Sequence, residues 1–156
     1  MDPVNRLIPM SWDQRHTFNA TVAYNTANYG ASVTGYYNSG SPYTFSPIEE
    51  SRLSRINLYP NTDYPPAKYH ADLMAYYYLP VYKDYKVNLR LAVYNLFDRL
   101  NENSVNDGTG RAYTAVIKET DLAGHRSDFN EYEDRVQNPS MFSTPRMVKL
   151  SMGVNF

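Results

Sequence analysis

The stretch Thr17-Phe18-Asn19-Ala20-Thr21-Val22-Ala23-Tyr24 has a period of two. Phe18, Ala20, Val22 and Tyr24 fall on one side of an extended chain, with Thr17, Asn19 and Thr21 on the other. A helix would scatter the same residues around its circumference, so this stretch reads as a half-buried strand. The turn formers Asn25-Thr26-Ala27-Asn28 follow. The next run, Tyr29 to Asn38, repeats the alternation, with Ala31, Val33, Gly35 and Tyr37 opposite Ser32, Thr34, Tyr36 and Asn38. The two runs read as a hairpin.

The same period recurs further along. Ala71, Leu73, Ala75, Tyr77 and Leu79 oppose His70, Asp72, Met74, Tyr76 and Tyr78, while Val87, Leu89, Leu91 and Val93 oppose Asn88, Arg90, Ala92 and Tyr94. At the end of the chain Val148, Leu150, Met152, Val154 and Phe156 oppose Lys149, Ser151, Gly153 and Asn155. Strands are therefore predicted near 16–24, 29–38, 69–79, 87–98 and 147–156. Between them lie a long proline-punctuated loop, 40–66, and a longer one, 99–145, with a small hairpin expected around Arg111–Lys118. The link Pro80-Val81-Tyr82-Lys83-Asp84 is expected to be a tight return.

Composition narrows the class. The chain has 156 residues, 42% hydrophobic and 20% charged, the size of one domain or of a piece of a larger one. Lys plus Arg number 15 against 16 Asp plus Glu, for a net charge of -1. That balance lacks the basic footprint of a nucleic-acid binder. With 0 Cys there are no disulfides, thiolate metal sites or thiol catalysis. No apolar run reaches the ~18 residues of a membrane-spanning helix, and Met1-Asp2-Pro3 does not open a signal peptide. Crossing strands remain open, because alternation keeps mean hydropathy low, here -0.59.

Loop lengths and tyrosines favour the crossing strands. Short links (25–28 and 80–86) alternate with long ones (40–66 and 99–145), as in outer-membrane barrels with tight turns on one rim and long loops on the other. Of the 16 Tyr, Tyr24, Tyr29, Tyr36, Tyr37, Tyr76, Tyr77, Tyr78 and Tyr82 lie at or near predicted strand ends. An amphipathic ring is favoured there at headgroup depth, although tyrosine is also simply a good strand former.

Three short runs carry a resemblance: Asp13-Gln14-Arg15-His16, the Gly40/Pro42/Tyr43 run Ser39-Gly40-Ser41-Pro42-Tyr43, and Asn95-Leu96-Phe97-Asp98. In this order, and with the alternating end at Phe156, the chain resembles the C-terminal part of a TonB-dependent outer-membrane receptor. Thr109-Gly110-Arg111-Ala112-Tyr113, Asn138-Pro139-Ser140 and Ser143-Thr144-Pro145-Arg146 are similar to members with an N-terminal carboxypeptidase-regulatory-like domain.

The resemblance implies an all-β fold, an antiparallel transmembrane barrel of about 22 strands closed by a plug. Residues 1–156 would supply about its last five strands, and the plug is absent from this sequence. It further implies the outer membrane of a Gram-negative bacterium, TonB-dependent uptake of a nutrient such as a siderophore, glycan or peptide, and extracellular long loops. The implied partners are the rest of the barrel and the plug, outer-membrane lipid, the barrel-assembly machinery, and the TonB complex through the missing plug. Val148, Leu150, Met152, Val154 and Phe156 would form the assembly signal. Physics agrees that such a chain needs company, since an open sheet in lipid strands two edges of unpaired backbone groups.

Chemistry-bearing residues are sparse. His16, His70 and His125 are the only histidines, and His70 with Asp72 on one strand face does not fill a zinc site. Asp121, Asp128, Glu131, Glu133 and Asp134 lack the spacing of a calcium loop and are interleaved with Arg126 and Arg135. Gly108-Thr109-Gly110-Arg111 lacks the lysine step of a phosphate loop, and Asn19-Ala20-Thr21 is a glycosylation triplet inside a strand. No nucleophile motif is present, so neither an enzyme nor a cofactor is expected. Two other readings compete. One is a soluble or surface β-sandwich for adhesion or carbohydrate binding; the other is a small barrel closed by this chain alone.

Overall fold

The computed structural model describes residues 7–46, 59–82, 85–114 and 138–155. They form one antiparallel sheet of five strands in sequence order: β1 (Thr17–Asn25), β2 (Tyr29–Asn38), β3 (Lys68–Tyr82), β4 (Tyr85–Tyr94) and β5 (Met147–Asn155). A single 3₁₀ turn, Pro139–Met141, is the only helical element among the described residues. β1 and β5 do not pair, so the sheet is open at both edges.

By its contacts the chain divides into two compact units. A sheet unit holds 16–38, 68–100 and 144–156, and a loop unit holds 1–15, 39–67 and 101–143. Described parts of the two long connections meet within the loop unit, where the Ser46 N–H donates to the Asp107 carbonyl at 3.0 Å.

The predicted strands β1, β2 and β5 lie within a residue of their expected limits. The middle hairpin differs. β3 runs on through Pro80 to Tyr82 and β4 begins at Tyr85, so the segment expected to be a link is mostly ladder. Proline is tolerated here because the register shifts between Pro80 and Tyr82, a bulge where a ladder N–H is dispensable. β4 also stops at Tyr94 rather than continuing to 98, because Asn95 and Asp98 adopt left-handed backbone angles (φ 53 and 54) outside the strand region. Of the expected Arg111–Lys118 hairpin, residues 111–114 carry no strand and the remainder lies outside the described residues.

The register turns five separate alternations into one pattern. Val22, Val33, Leu73, Val93 and Val148 stand in a single cross-strand row, followed by Tyr24, Ala31, Ala75, Leu91 and Leu150. The apolar strand positions singled out above, as far as they are described, therefore share one face of the sheet. A slip of one residue in any pair would break the face. The strand ends are sorted as well. Thr17, Asn38 and Lys68 align, as do Tyr94 and Met147, so every long connection leaves from one rim and every short one from the other.

One glycine acts as a steric key. Gly30 pairs with Tyr76, and a Cβ on Gly30 would sit 2.5 Å from the Tyr76 ring. That ring packs over Gly30, and its hydroxyl donates to the Thr26 carbonyl at 3.0 Å. Gly35 and Gly153, in contrast, have open space where a Cβ would go. Gly30→Ala is therefore expected to cost roughly 1–3 kcal/mol through displacement of Tyr76. Gly35→Ala and Gly153→Ala should be neutral or mildly stabilising. Thermal unfolding followed by circular dichroism separates them, and equal effects at all three positions would refute the key.

Candidate functional site: sheet faces and the strand-end corner

β2 is inside-out by the standard of a soluble protein, whereas on β4 the apolar Val93 is buried and the polar-face Arg90 exposed. Along β2 the apolar-face residues Tyr29, Ala31, Val33 and Tyr37 are exposed, while their polar-face neighbours Ser32, Thr34, Tyr36 and Asn38 are half-buried and Gly30 is buried. On the outer strands Val22 is 77% exposed, Leu150 76% and Met152 77%. In the sheet unit only Ala71 and Val93 are buried hydrophobics among the described residues. Within that unit no second layer covers the apolar face, which carries no charge among the described residues.

Aromatic rings bracket this face. At the long-loop rim Phe18, Tyr37 and Tyr69 form one row across three strands. Toward the short-turn rim Tyr29 pairs with Tyr77, and Tyr24 lies against Tyr29 at a ring separation of 6.2 Å. Three of the tyrosines near strand ends, Tyr36, Tyr76 and Tyr78, stand on the polar face, where the alternation of the sequence places them. Tyr36 stacks on His70 (4.6 Å, 18°), and Tyr76 tilts against Tyr78 at 5.3 Å. The second belt at Phe18 and Tyr69 becomes visible only once the register is known.

The polar face holds the residues expected on it. Thr21 and Thr34 share a hydrogen bond of 3.0 Å between hydroxyls, Arg90 Nε donates to Asn88 at 3.3 Å, and Lys149 lies over the Tyr94 ring at 5.3 Å. His70 is engaged by Tyr36, and Asp72 accepts from the Asn95 backbone N–H at 3.0 Å. Among the described residues no group of three or more His, Asp or Glu side chains is arranged to hold a metal ion.

The Asn95-Leu96-Phe97-Asp98 run is a corner staple. Asn95 is buried, and its side-chain amide donates to the carbonyls of Arg99 (2.9 Å) and Thr144 (3.0 Å). Its side-chain oxygen accepts the Arg99 N–H at 3.1 Å. Leu96 N–H donates to the Ala71 carbonyl at 2.7 Å, and Arg99 lies over the Tyr69 ring at 4.0 Å. Asp98 accepts the Arg146 N–H at 2.7 Å and the Arg146 guanidinium at 3.3 Å. Asn and Asp suit both left-handed positions, being the non-glycine residues that visit that region most readily. The staple thus joins the end of β4 to the residues just before β5.

Within the loop unit the other two runs also bind their own neighbourhood. Asp13 accepts from Arg15 Nε (3.3 Å) and from the Tyr64 hydroxyl (3.2 Å), and the Arg15 guanidinium lies 5.2 Å over the Tyr64 ring. Gly40 is buried with Pro65 packed where a Cβ would be. Pro42 is buried, and Tyr43 bridges Asp63 through both backbones and through its hydroxyl, which donates to the carboxylate at 3.2 Å. Burial, and then the nearby Asp63, push the Tyr43 hydroxyl above its ordinary pKa. That hydroxyl occupies the space over Gly110, itself left-handed at φ 69.

A cluster built on Arg111 and Ala112 of the Thr109–Tyr113 run and on Glu102, which no motif singles out, stands beside it. The buried Glu102 carboxylate receives the Arg111 guanidinium (2.8 and 3.0 Å) and the Ala112 N–H (2.6 Å). Neither Glu102 nor Arg111 sits in a periodic pattern, so only the folded loop brings them together. An open cleft of about 300 Å³ lies by Arg15, Tyr59, Asn61 and Tyr64, with Ile8 and Pro9 as apolar wall.

Phe156 of the expected assembly signal lies outside the described residues. Val148, Leu150, Met152 and Val154 alternate on the apolar face of β5, an edge strand. Of the three family-like runs, Asp13–Arg15 and Gly40–Tyr43 belong to the loop unit, and His16 and Asn95–Asp98 to the sheet unit.

No protein-family model, curated protein or solved structure matches the chain.

The staple has a pH signature. The Arg146 N–H, and then its guanidinium, hold the Asp98 carboxyl below its ordinary value of 3.8, against a smaller opposing effect of burial. A depressed carboxyl stabilises the folded form above its unfolded value, and that contribution fades as pH falls from 3.8 through the folded value. The Arg146 amide proton resonance should therefore titrate with a midpoint below 3.8, and Asp98→Asn should abolish the step. A midpoint at or above the ordinary value would count against the contact.

Proposed function

We propose that the chain is the C-terminal barrel segment of a plugged, TonB-dependent outer-membrane transporter, contributing barrel wall and long extracellular loops. The observation that carries this reading is the apolar face bracketed by aromatic rows and largely exposed on β1, β2 and β5. Lipid is the solvent such a face requires. The rows at Tyr37 and Tyr29 are eight residues apart on β2, about 27 Å along a strand. At a tilt of about 40° that is about 20 Å of depth, close to the apolar band of about 25 Å in outer-membrane barrels.

In this reading the open edges of β1 and β5 pair with further strands, since unpaired edges in lipid would cost several kcal/mol per group. The remaining strands and the plug are the required partners, in the outer membrane of a Gram-negative bacterium. The plug would slide against the wall of Thr21, Thr34, Asp72, Arg90 and Lys149. The loop unit, with its cleft by Arg15 and Tyr64, would contribute to capture of a nutrient.

Arginine scanning across the two faces tests the proposal in cells making the whole protein. Val22→Arg and Leu150→Arg should each cost about 2–4 kcal/mol and deplete the outer-membrane form. Thr21→Arg and Ser151→Arg, one residue away on the other face, should assemble nearly as well. If the apolar-face arginines instead yield a soluble monomer without detergent, the β-sandwich reading replaces this one.

A further inference from the structure

We infer that Asn95, Asp98 and Arg146 set the register of β5 on β4, choosing one of several pairings that the strand sequences alone leave nearly equivalent. This rests on hydrogen bonds in the sheet unit and is independent of whether lipid or protein covers the apolar face.

The other strand pairs have their own means of alignment. β1 and β2 are joined through residues 26–28, and β3 and β4 through residues 83–84, so connection length fixes both registers. β2 and β3 are separated by a long loop, but Gly30 admits the Tyr76 ring and no Cβ-bearing residue could take its place without a clash. The Tyr78 N–H also donates to the Asn28 carbonyl at 2.6 Å, anchoring the same end.

β4 and β5 have neither device. Residues 95–146 separate them, a connection whose length alone imposes no register. Its two ends also meet in the loop unit, where the Ser143 N–H donates to the Asn101 carbonyl at 2.8 Å and the Asn103 N–H to the Met141 carbonyl at 2.7 Å. A one-residue slip is forbidden because it would turn Lys149 and Ser151 to the apolar side. A two-residue slip is not. It would keep three of Val148, Leu150, Met152 and Val154 against members of the apolar row Val87, Leu89, Leu91 and Val93, shifted by one rung, with the fourth opposite Tyr85 or beyond the end of β4. The small residue in β5, Gly153, has open space above it and so supplies no lock.

Within the sheet unit, what distinguishes the observed pairing is the staple, and on this inference it outweighs the 101–103 and 141–143 contacts of the loop unit. Asp98 holds both the backbone and the guanidinium of Arg146, the residue just before Met147, and Asn95 holds the Thr144 carbonyl. A two-residue slip displaces β5 by about 7 Å, beyond the reach of these contacts. The corner that presents Asn95 and Asp98 is anchored at the end of β4 by hydrogen bonds to β3, from the Asn95 N–H to Asp72 and from the Leu96 N–H to the Ala71 carbonyl. Asn95, Asp98 and Arg146 are thus positioning residues for the last strand.

The absence of native cysteine makes the test clean. Arg90 and Ser151 are direct partners, so Arg90→Cys with Ser151→Cys reports the observed register by disulfide formation. Arg90→Cys with Lys149→Cys, or with Gly153→Cys, reports the two slips, since diagonal neighbours about 7–8 Å apart bridge poorly without movement. Ser32→Cys with Met74→Cys on β2 and β3 serves as the control for an intact sheet.

In the otherwise native full chain the disulfide of the Arg90→Cys, Ser151→Cys pair should dominate. With Asn95→Gly and Asp98→Gly, which keep the left-handed backbone accessible and remove only the side chains, the slipped links should rise roughly tenfold relative to it. The control link should be unchanged, and Asp98→Asn, which keeps an acceptor for the Arg146 N–H, should restore most of the native register. Retention of the native link alone in the double-glycine variant would overturn the inference. Loss of the control link together with the native one would overturn it too, because the corner would then hold the whole sheet rather than one register.

Discussion

Every feature of the sheet depends on how its backbone ladders are aligned. Strand alternation by itself produces five narrow apolar stripes, each compatible with a soluble or a membrane protein. Alignment joins them into one uncharged surface on which Leu150 and Val22 stand largely exposed. The hydrophobic effect would ordinarily fold such a surface against a second layer. Here the sheet unit supplies none, and its polar residues are the more enclosed on β2. The same register that makes the face coherent therefore creates the demand for an apolar environment.

Much of this was legible in the sequence because period two is a local property. The faces of β1, β2 and β5 follow from counting odd and even residues from Thr17, Tyr29 and Met147. Expectation and structure part where a long-range contact overrides a local rule. Pro80 reads as a strand breaker, but the bulge beside it removes the need for its missing N–H. Asn95-Leu96-Phe97-Asp98 continues the extended look of β4, yet hydrogen bonds to Asp72, Thr144 and Arg146 hold its first and last residues left-handed. Tyr36, Tyr76 and Tyr78 lie near strand ends, but the alternation already legible in the sequence places them on the polar side.

The loop unit was the least legible part. Glu102 and Arg111 are ordinary loop residues until the chain folds back and buries the carboxylate under the guanidinium and the Ala112 N–H. Tyr43 and Gly110 are far apart in the chain, and nothing in either local sequence announces that one ring needs the other's missing side chain. The family-like motifs were easier to find than to interpret. Each proves to be a structural device, a guanidinium clasp at Asp13–Arg15, a close packing at Gly40 and a staple at Asn95–Asp98. Such devices recur because a backbone geometry demands particular residue types, which is a reason for a motif distinct from contact with a substrate.

Strand direction adds a constraint on what can complete the sheet. In an antiparallel five-stranded order the first and last strands, β1 and β5, run the same way. Copies of the chain arranged by rotation around a barrel axis would bring β5 of one beside β1 of the next in parallel, leaving the antiparallel pattern broken at every seam. A two-fold axis normal to the sheet would restore antiparallel pairing at a seam, but it would send the long connections of the two copies to opposite rims. Closure with all long connections on one rim instead needs an odd number of additional antiparallel strands between β5 and β1. Were the sheet closed in a membrane, the cost of moving polar loops across lipid would enforce that asymmetry, and strand direction would then require a neighbour at each edge other than a rotated copy of this sheet.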